Sequence, residues 1–370
     1  MSHEPIRVGL FLPGVGPSPS GVWTRLRDMV GALSNETELE IYAAVTSESE
    51  GELLALPPER TMLIPPMGLI RRVVHTSRVA RSFVRRFDLD VLQVESMPIP
   101  QRARVPIVVS LHDLREFDKA GWKLRSAADI YRRTAMPLQA RRADAIFSLT
   151  LWMKQEIELY LSTDNVQVIP PIAPKAETPS RPPWRGAETS LFNRPFLLAL
   201  GHLEPRKNLE VLIRASNEPT WPNDLQLVIA GADHGSLPTL RQLASTSPAS
   251  IHFLGPINDN DKWWLLTHAA VVAVPSLIEG FGIVALESIV AGTPVLVADA
   301  AALPEVVGDR RAILDPHDHV AWGQRIRDVV GDPKFRTSVV EHEAASLPRH
   351  TSVAVASQLL SVYRNLVTPV

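Results

Sequence analysis

The sequence predicts an α/β protein of two doubly wound domains, each with a parallel sheet, that face each other across a cleft. The chain has 370 residues, more than one ordinary hydrophobic core accommodates. Short runs of apolar and β-branched residues alternate with helical patterns in both halves, as expected for parallel strands covered on both faces. A stretch rich in Pro, Ser and Thr separates the two halves and reads as a linker.

The predicted strands are continuous apolar runs with turn residues or helical patterns between them. In the first half they lie at 6–12, 40–45, 90–95, 106–111, 144–149 and 166–170. In the second half they lie at 195–200, 225–230, 251–255, 271–276, 294–298 and 312–315. Parallel strands of this kind present their ligand sites at their carboxyl ends, so we expect the functional residues in the turns that follow them.

These elements predict an N-terminal domain over residues 1–172, a linker over 173–192 and a C-terminal domain over 193–350. The tail 351–370 is predicted to form an amphipathic helix that packs back towards the N-terminal domain. Doubly wound domains with this arrangement bind ligands in the crevice between them.

Composition excludes several classes of protein. The formal net charge of −2 argues against a nucleic-acid partner. Because the chain has no cysteine, disulfides, thiolate catalysis and cysteine-ligated zinc are excluded. The N-terminal residues lack the pattern of a secretory signal, and no apolar run approaches the ~18 residues of a spanning helix. A cytoplasmic location is therefore expected.

Residues 69–87 contain six arginines and no acidic residue, with Ile70, Val73, Val74, Val84 and Phe87 roughly on one helical face. A solvated helix face is one interpretation. The alternative is peripheral contact with an anionic membrane, on the inner face of the cytoplasmic membrane, because basic residues near such a surface are attracted to it.

The segment EGFGIVALE, residues 279–287, contains two glutamates around a glycine-rich helix start. A helix is predicted from Gly282 to Ala291, and its first N–H groups and partial positive charge favour an anion such as phosphate. Glu279 would lie beside the ligand, and Glu287, one turn inside the helix, would face a ribose. The alternative is a pair of surface glutamates.

A second segment supports a ligand site. The strand 195–200 ends at Gly201, and Arg206 and Lys207 precede a helix predicted to begin near Asn208. Only seven lysines occur in the chain, and one at a strand-to-helix turn would place a point charge on a phosphate, with the arginine fork beside it. A solvated loop is the other interpretation.

Two features of the N-terminal half also follow predicted strands. A glycine-rich turn at 13–21, which includes Gly16, lacks both the GxGxxG pattern and a Walker lysine, so NAD and P-loop sites are weak predictions. His112 follows the strand 106–111, at the edge where ligands bind, although a lone histidine is more often structural.

Three patterns suggest metal ligands by composition alone: the D-x-D patterns at 88–90 and 259–261, and the triplet His317, Asp318 and His319. The first precedes a strand and the second lies in a polar loop, so both are predicted to be surface residues. The triplet is predicted to form a turn and a helix cap.

Together these segments resemble the retaining glycosyltransferases of family 4, which have the GT-B fold of two Rossmann-like domains. The resemblance covers nearly the whole chain. Its most specific part is E-x7-E with GFG inside it, residues 279–287, together with PRKN at 205–208 upstream and LPEVVGD at 303–309 downstream.

The resemblance implies transfer of a hexose from a nucleotide-diphosphate sugar to a glycan, a glycolipid or another hydroxyl acceptor, without a metal ion or a further cofactor. It implies an acceptor-binding N-terminal domain and a nucleotide-sugar-binding C-terminal domain. The catalytic residues implied are His112, Arg206, Lys207 and Glu279. The substrate-binding residues implied are Gly16, Phe253, Ile257, Gly280, Phe281, Gly282, Ile283, Val284 and Glu287.

One position departs from many relatives, which have an arginine where His202 follows Gly201. The diphosphate contacts are then left to Arg206 and Lys207. This PRKN-type pattern makes GDP-mannose the first candidate donor and a UDP-sugar the second. The alternatives are a sugar-nucleotide epimerase of the same fold, a phosphorylase, for which no pyridoxal phosphate lysine is evident, and a non-catalytic carbohydrate-binding subunit.

Overall fold

The computed structural model describes residues 4–13, 15, 21–95, 98–101, 103–111, 134–135, 137–176 and 192–368. The chain divides into two compact units. Unit 1 comprises residues 1–172 and 349–370, and unit 2 comprises residues 173–348. Most of the predicted linker, residues 177–191, lies outside the described residues.

Unit 1 contains a seven-stranded sheet in the order β3-β2-β1-β4-β5-β6-β7, with all pairs parallel. Its strands are β1 Ile6–Phe11, β2 Leu39–Val45, β3 Thr61–Leu63, β4 Val91–Val94, β5 Ile107–Ser110, β6 Ala145–Ser148 and β7 Val166–Val168. Its described helices are α1 Gly21–Leu33, α2 Glu48–Leu53, α3 Leu69–Phe87, α4 Leu151–Leu161 and α12 Ser352–Val367. Because β1 pairs with both β2 and β4, the strand order reverses beside β1.

Unit 2 contains a six-stranded parallel sheet in the order β10-β9-β8-β11-β12-β13. Its strands are β8 Phe196–Leu200, β9 Gln226–Ala230, β10 Ile251–Gly255, β11 Val271–Val274, β12 Val295–Ala298 and β13 Ile313–Leu314. Its helices are α5 Glu210–Ala215, α6 Leu237–Ala244, α7 Asp259–His268, α8 Ile283–Val290, α9 Leu303–Val307, α10 His319–Gly331 and α11 Pro333–Ala344. Here the order reverses beside β8, which pairs with β9 and β11.

The strands of both sheets are largely buried, which agrees with their continuous apolar sequences. In β4, β5, β6, β11 and β12 every residue is buried. Such strands need helices on both faces, and the alternation of strands and helices along the chain supplies them. Because the helices cover the faces of each sheet, the connecting turns lie at the carboxyl ends of the central strands.

Helix α12 belongs to unit 1, where it packs against α1. Its apolar residues Val355, Ala356, Leu359 and Leu360 join the core on one face of the sheet. The Tyr363 hydroxyl is fully buried and donates a hydrogen bond to Oε1 of Gln93 on β4. This polar contact fixes the helix against the sheet of unit 1.

Helix α3 corrects a sequence prediction. Val74 is 67% exposed and Val73 is 43% exposed, although both were expected on the apolar face. The buried residues of this helix are Thr76, Ala80, Phe83 and Val84, so among the described side chains of the predicted face only Val84 is buried. Within the described ranges, no helix combines the length and the apolar character that are needed to cross a membrane.

Candidate functional site

The turn after β8 positions two cationic side chains at the carboxyl edge of the unit 2 sheet. After Gly201 the chain forms a 3-10 turn, Pro205–Lys207, and Asn208 adopts a left-handed conformation with φ of 51°. Helix α5 begins at Glu210, two residues after Asn208, near which a helix start was predicted. Asparagine tolerates the left-handed region that ends the turn, which explains the later helix start.

Asn208 ties this turn to two other segments of unit 2. Its Nδ2 donates hydrogen bonds to the backbone oxygens of Pro275, at 3.2 Å, and Pro316, at 2.7 Å. The N–H of Leu277 also donates to the carbonyl oxygen of Arg206 at 2.8 Å. The turn after β8 and the loop after β11 are thereby held side by side.

That contact brings Glu279 against the two cations. Nζ of Lys207 lies 2.5 Å from Oε1 of Glu279, and Nη1 of Arg206 lies 3.3 Å from Oε2. Ser276 donates a further side-chain hydrogen bond to Glu279. Nη2 of Arg206 contacts Oε1 of Glu204 at 2.6 Å. The structure therefore brings together three of the predicted site residues in one ion-paired cluster.

The electrostatics of this cluster keep Glu279 ionised. Its side chain is only 14% exposed, and this burial alone would raise its pKa. Lys207 and Arg206 outweigh the burial, and the pKa of Glu279 lies below its ordinary value. Nε of Arg206 is buried without a hydrogen-bond partner among the described residues, so the guanidinium retains one donor for another group.

Helix α8 begins directly after this cluster. Gly282 precedes it with φ of 95°, no side chain caps its N-terminus and its first turn contains no acidic residue. The backbone conformation favours glycine, and a Cβ at Gly282 would also lie 2.5 Å from Cδ2 of Leu303, which would have to move. The first N–H groups of a helix lack intrahelical partners and carry partial positive charge, which makes this end suited to an anion.

The second glutamate has its own cation, which sequence reasoning missed. Glu287 on α8 pairs with Lys262 on α7, with 2.7 Å between Oε1 and Nζ. Nζ of Lys262 also lies 3.1 Å from Oδ1 of Asp259. Burial raises the pKa of Glu287 above its ordinary value, and Lys262 opposes this only in part. Lys262 and Glu287 are 25 positions apart on different helices, so no spacing rule relates them.

Some of the other predicted site residues lie in the described part of unit 2, and two lie outside the described residues. Phe253 lies on β10 and Ile257 lies in the loop that follows, and both are half-buried. Phe281 is 6% exposed, whereas Ile283 at the start of α8 is 46% exposed. Gly16 and His112 lie outside the described residues.

His202 occupies the position where many relatives have an arginine. Its ring stacks on that of His234, with ring centroids 4.1 Å apart and an angle of 11° between the planes. Burial and the adjacent His234 lower the pKa of His202. The imidazole is therefore neutral near pH 7 and does not replace the positive charge of an arginine.

The D-x-D patterns and the histidine triplet take structural roles. Asp88 and Asp90 both accept hydrogen bonds from Arg7. Asp318 caps α10 by accepting from the N–H of Ala321 at 2.9 Å, as predicted. In the part of the chain that the structure describes, no three His, Asp or Glu residues are grouped as metal ligands.

Asp259 and Asp261 lie in the first turn of α7, whose N-cap is Asn258. Acidic residues in the first turn interact favourably with the helix dipole. Asp259 also contacts Lys262, so it belongs to the surroundings of Glu287.

Two family models match the chain. The model described as Glycosyltransferase Family 4 matches residues 19–173. The model described as Glycosyl transferases group 1 matches residues 180–344. The matches fall on the two halves of the chain, and together they span most of its length.

Curated relatives and a solved structure agree with these matches. The chain is 27% identical to D-inositol 3-phosphate glycosyltransferase of Corynebacterium aurimucosum over 88% of its length and 86% of the relative's. It is 29% identical to O-antigen chain mannosyltransferase B of Escherichia coli, but this match spans only 46% of each chain. The structure of Anabaena HepE in complex with UDP-glucose superimposes with a TM-score of 0.75 at 16% identity, covering 98% of this chain and 100% of HepE.

Two doubly wound parallel units, together with this structural likeness, define an α/β two-domain GT-B fold. The chain belongs to glycosyltransferase family 4, in the group 1 glycosyltransferases. The family and the GT-B fold that the E-x7-E and PRKN segments predicted are confirmed, and the protein is a glycosyltransferase.

Proposed function

We propose that the protein is a retaining, metal-independent hexosyltransferase that uses a nucleotide-diphosphate sugar. The observation that carries the proposal is the cluster of Arg206, Lys207 and Glu279 beside the uncapped start of α8. Two cations and a helix N-terminus favour a diphosphate, and an ionised carboxylate beside them favours the hydroxyls of a sugar.

In this proposal Arg206 and Lys207 contact the diphosphate, with the buried Nε of Arg206 among the available donors. Glu279 accepts hydrogen bonds from hydroxyls of the transferred hexose, and the backbone of 280–284 binds oxygens of the sugar and the diphosphate. Glu287 accepts from the ribose, while Phe253 and Ile257 contact the base. Gly16 is predicted to contact the phosphates. His112 is predicted to contact the sugar or the β-phosphate.

The proposed reaction breaks the bond between the anomeric carbon and the leaving phosphate oxygen, and forms a bond from that carbon to the acceptor oxygen. The acceptor hydroxyl attacks from the face that the leaving diphosphate occupies, so the anomeric configuration is retained. Its proton passes to the departing phosphate. Arg206 and Lys207 stabilise the negative charge that develops on the diphosphate, a role that a divalent ion takes in other enzymes.

GDP-mannose is the proposed first donor and a UDP-sugar the second. The PRKN segment and the partial likeness to a mannosyltransferase support the first. The structural likeness to HepE, which was crystallised with UDP-glucose, supports the second. The acceptor is proposed to be a hydroxyl of a glycan or of a lipid-linked saccharide.

A thermal-shift panel tests the donor. GDP-mannose, UDP-glucose, an ADP-sugar and a dTDP-sugar are each added in the presence of EDTA, because a ligand that binds only the folded state raises Tm. We expect one nucleotide class to raise Tm without metal. In Lys207→Met the shift should be lost, while Lys334→Met, which removes an exposed lysine of unit 2, should leave it unchanged.

Transfer is then measured with the selected donor, and the anomeric configuration of the product is read by NMR. Retention without metal supports the proposal. An inverted product, a requirement for a divalent ion, or a donor shift that persists in Lys207→Met would contradict it.

Peripheral membrane association is proposed separately for α3. Its exposed valines, Val73 and Val74, lie on a helix with six arginines and no acidic residue. Cosedimentation with anionic vesicles should fall with added salt and in Val74→Asp. Sedimentation that Val74→Asp leaves unchanged, or the absence of binding at low salt, would contradict this part of the proposal.

A further inference from the structure

Unit 1 contains a cavity of about 320 Å³ at the end of α3 that faces the connection between β4 and β5. This volume lies at the lower end of the range of small-molecule sites. The cavity is lined by Arg78, Arg81, Val84, Arg85, Ala103 and Arg104.

The four arginines of this cavity are not neutralised by the described part of the chain. None of them forms an ion pair with a carboxylate there, whereas Arg7, Arg206 and Arg311 elsewhere all do. The whole of residues 69–87 contains no acidic residue. Arg78, Arg81 and Arg85 follow each other at spacings of three and four, which places like charges side by side on the helix and destabilises it.

The wall opposite the helix is held in place by specific contacts. The N–H of Gln101 donates to Oγ of Ser77 on α3 at 2.7 Å, and Nη1 of Arg142 donates to Oε1 of Gln101 at 2.9 Å. Arg104 follows with φ of 71°, a left-handed conformation that is unfavourable for a residue with a Cβ. A strained arginine that completes a cluster of like charges points to a role in binding.

Helix stability alone does not account for this arrangement. Arginines in the last turn interact favourably with the helix dipole, which explains Arg85 and its bond from Nε to the carbonyl oxygen of Arg81. It does not explain Arg78, which lies more than two turns before the helix ends, or Arg104, which comes from another segment.

We infer that this cavity binds a phosphate-bearing group. Guanidinium groups bind phosphate oxygens in a bidentate fashion, and several of them together match a group with two negative charges. Arg104 precedes β5, so the cavity lies towards the amino ends of the strands, whereas ligands of a doubly wound sheet bind at the carboxyl ends. The site is therefore distinct from the cluster around Glu279 and does not depend on the proposed transfer reaction.

Calorimetric titration with inorganic phosphate tests the site in the full-length Lys207→Ala variant, which weakens the other anion site. Arg78→Gln/Arg81→Gln should lower the affinity about tenfold or more, since each charged hydrogen bond contributes roughly that factor. The matched control is Arg71→Gln/Arg86→Gln, which removes the same charge from the same helix but leaves the cavity lining intact.

Arg104→Gly gives an independent readout. Glycine accepts the positive φ, so the free energy of unfolding should stay constant or rise while phosphate affinity falls. This opposite movement of stability and affinity distinguishes a binding residue from a structural one.

Vesicles of phosphatidylcholine with and without phosphatidic acid distinguish a lipid headgroup from a soluble phosphate. Binding to phosphatidic acid that free phosphate displaces, and that the cavity variants lose, assigns the lipid source. Binding of free phosphate alone assigns a soluble ligand. Equal losses in the cavity pair and in the control pair, or no binding of either ligand, would overturn the inference.

Discussion

Nζ of Lys207 and Oε1 of Glu279 lie 2.5 Å apart, although 72 positions separate the two residues. The contact depends on two turns at the carboxyl edge of the unit 2 sheet, one after β8 and one after β11, which Asn208 joins. It also decides the charge of Glu279, because the two cations hold its pKa below the ordinary value despite burial. A carboxylate that stays ionised in a buried position is suited to accept hydrogen bonds from sugar hydroxyls.

Glu279→Gln should separate transfer from nucleotide binding. The amide keeps the size of the side chain but is a weaker acceptor, so transfer should fall about 100-fold, the scale of losing one charge-stabilising contact. Nucleotide-diphosphate binding should be retained or improved, because Arg206 and Lys207 lose a competing partner. Steady-state transfer rates and calorimetry with the nucleotide measure the two effects, and parallel loss of both would contradict the proposed role.

Much of the fold could be predicted because the buried strands are continuous apolar runs. All twelve predicted strands occur, with ends that differ by at most two residues. Strand β3, Thr61–Leu63, was not predicted; it has three residues and only Met62 of them is buried. An edge strand this short has neither the length nor the apolar character on which the prediction rests.

The apolar face of α3 could not be read from hydrophobicity alone. The helix is buried through Thr76, Ala80, Phe83 and Val84, of which only Val84 was predicted, while Thr76 is polar and Ala80 is small. Gly9 on β1 allows this packing, because a Cβ there would lie 2.8 Å from the ring of Phe83. Small residues on both the helix and the strand allow the two elements to pack closely. A prediction that relies on large apolar residues does not detect such a contact.

The glutamates of the candidate site could be predicted because they flank a glycine-rich helix start in one short segment. Their cationic partners could be predicted only in part. Arg206 and Lys207 follow a predicted strand, whereas Lys262 reaches Glu287 from a separate helix. Only the packing of α7 against α8 in the folded protein brings Lys262 and Glu287 together.

Lys262→Met should destabilise unit 2 by leaving the Glu287 carboxylate buried without its cation. The side chain of Glu287 is 9% exposed and that of Lys262 is 25% exposed, so we expect the lower end of the cost of breaking a buried pair, about 3 kcal/mol. The pKa of Glu287, which burial already raises, should rise further, and the loss should therefore grow as pH increases.

Urea unfolding of Lys262→Met is compared with that of Lys262→Met/Glu287→Leu. The double variant should recover most of the lost free energy, since it removes the unpaired charge together with its partner. If the two changes proved additive, Lys262 would not be stabilising Glu287.

Gly282→Ala should destabilise the protein more than Gly292→Ala. Both glycines have positive φ, 95° and 70°, and each substitution costs about 1–2 kcal/mol for that reason. Only the Cβ at position 282 also overlaps Cδ2 of Leu303, while nothing lies within 4 Å of a Cβ at position 292. Urea unfolding measures the difference, and equal costs would show that Leu303 moves aside freely.

Glu343→Gln should flatten the pH dependence of stability. Glu343 on α11 is 1% exposed, and both its carboxyl oxygens lie 3.3 Å from the backbone nitrogen of Val295. Burial raises its pKa from the ordinary 4.5 to about 9, with a contribution from Asp309, while the Val295 N–H and Arg311 oppose the shift.

Between these two values the folded state holds a proton that the unfolded state has released. The contribution of Glu343 to stability is therefore fully present below pH 4.5 and is lost as pH rises towards about 9. Glutamine is neutral throughout and still accepts from Val295, so Glu343→Gln should lose this slope and be at least as stable at neutral pH. Urea unfolding across the range, with the exposed Glu341→Gln as control, measures it. An unchanged slope in Glu343→Gln would mean that Glu343 is already ionised at neutral pH.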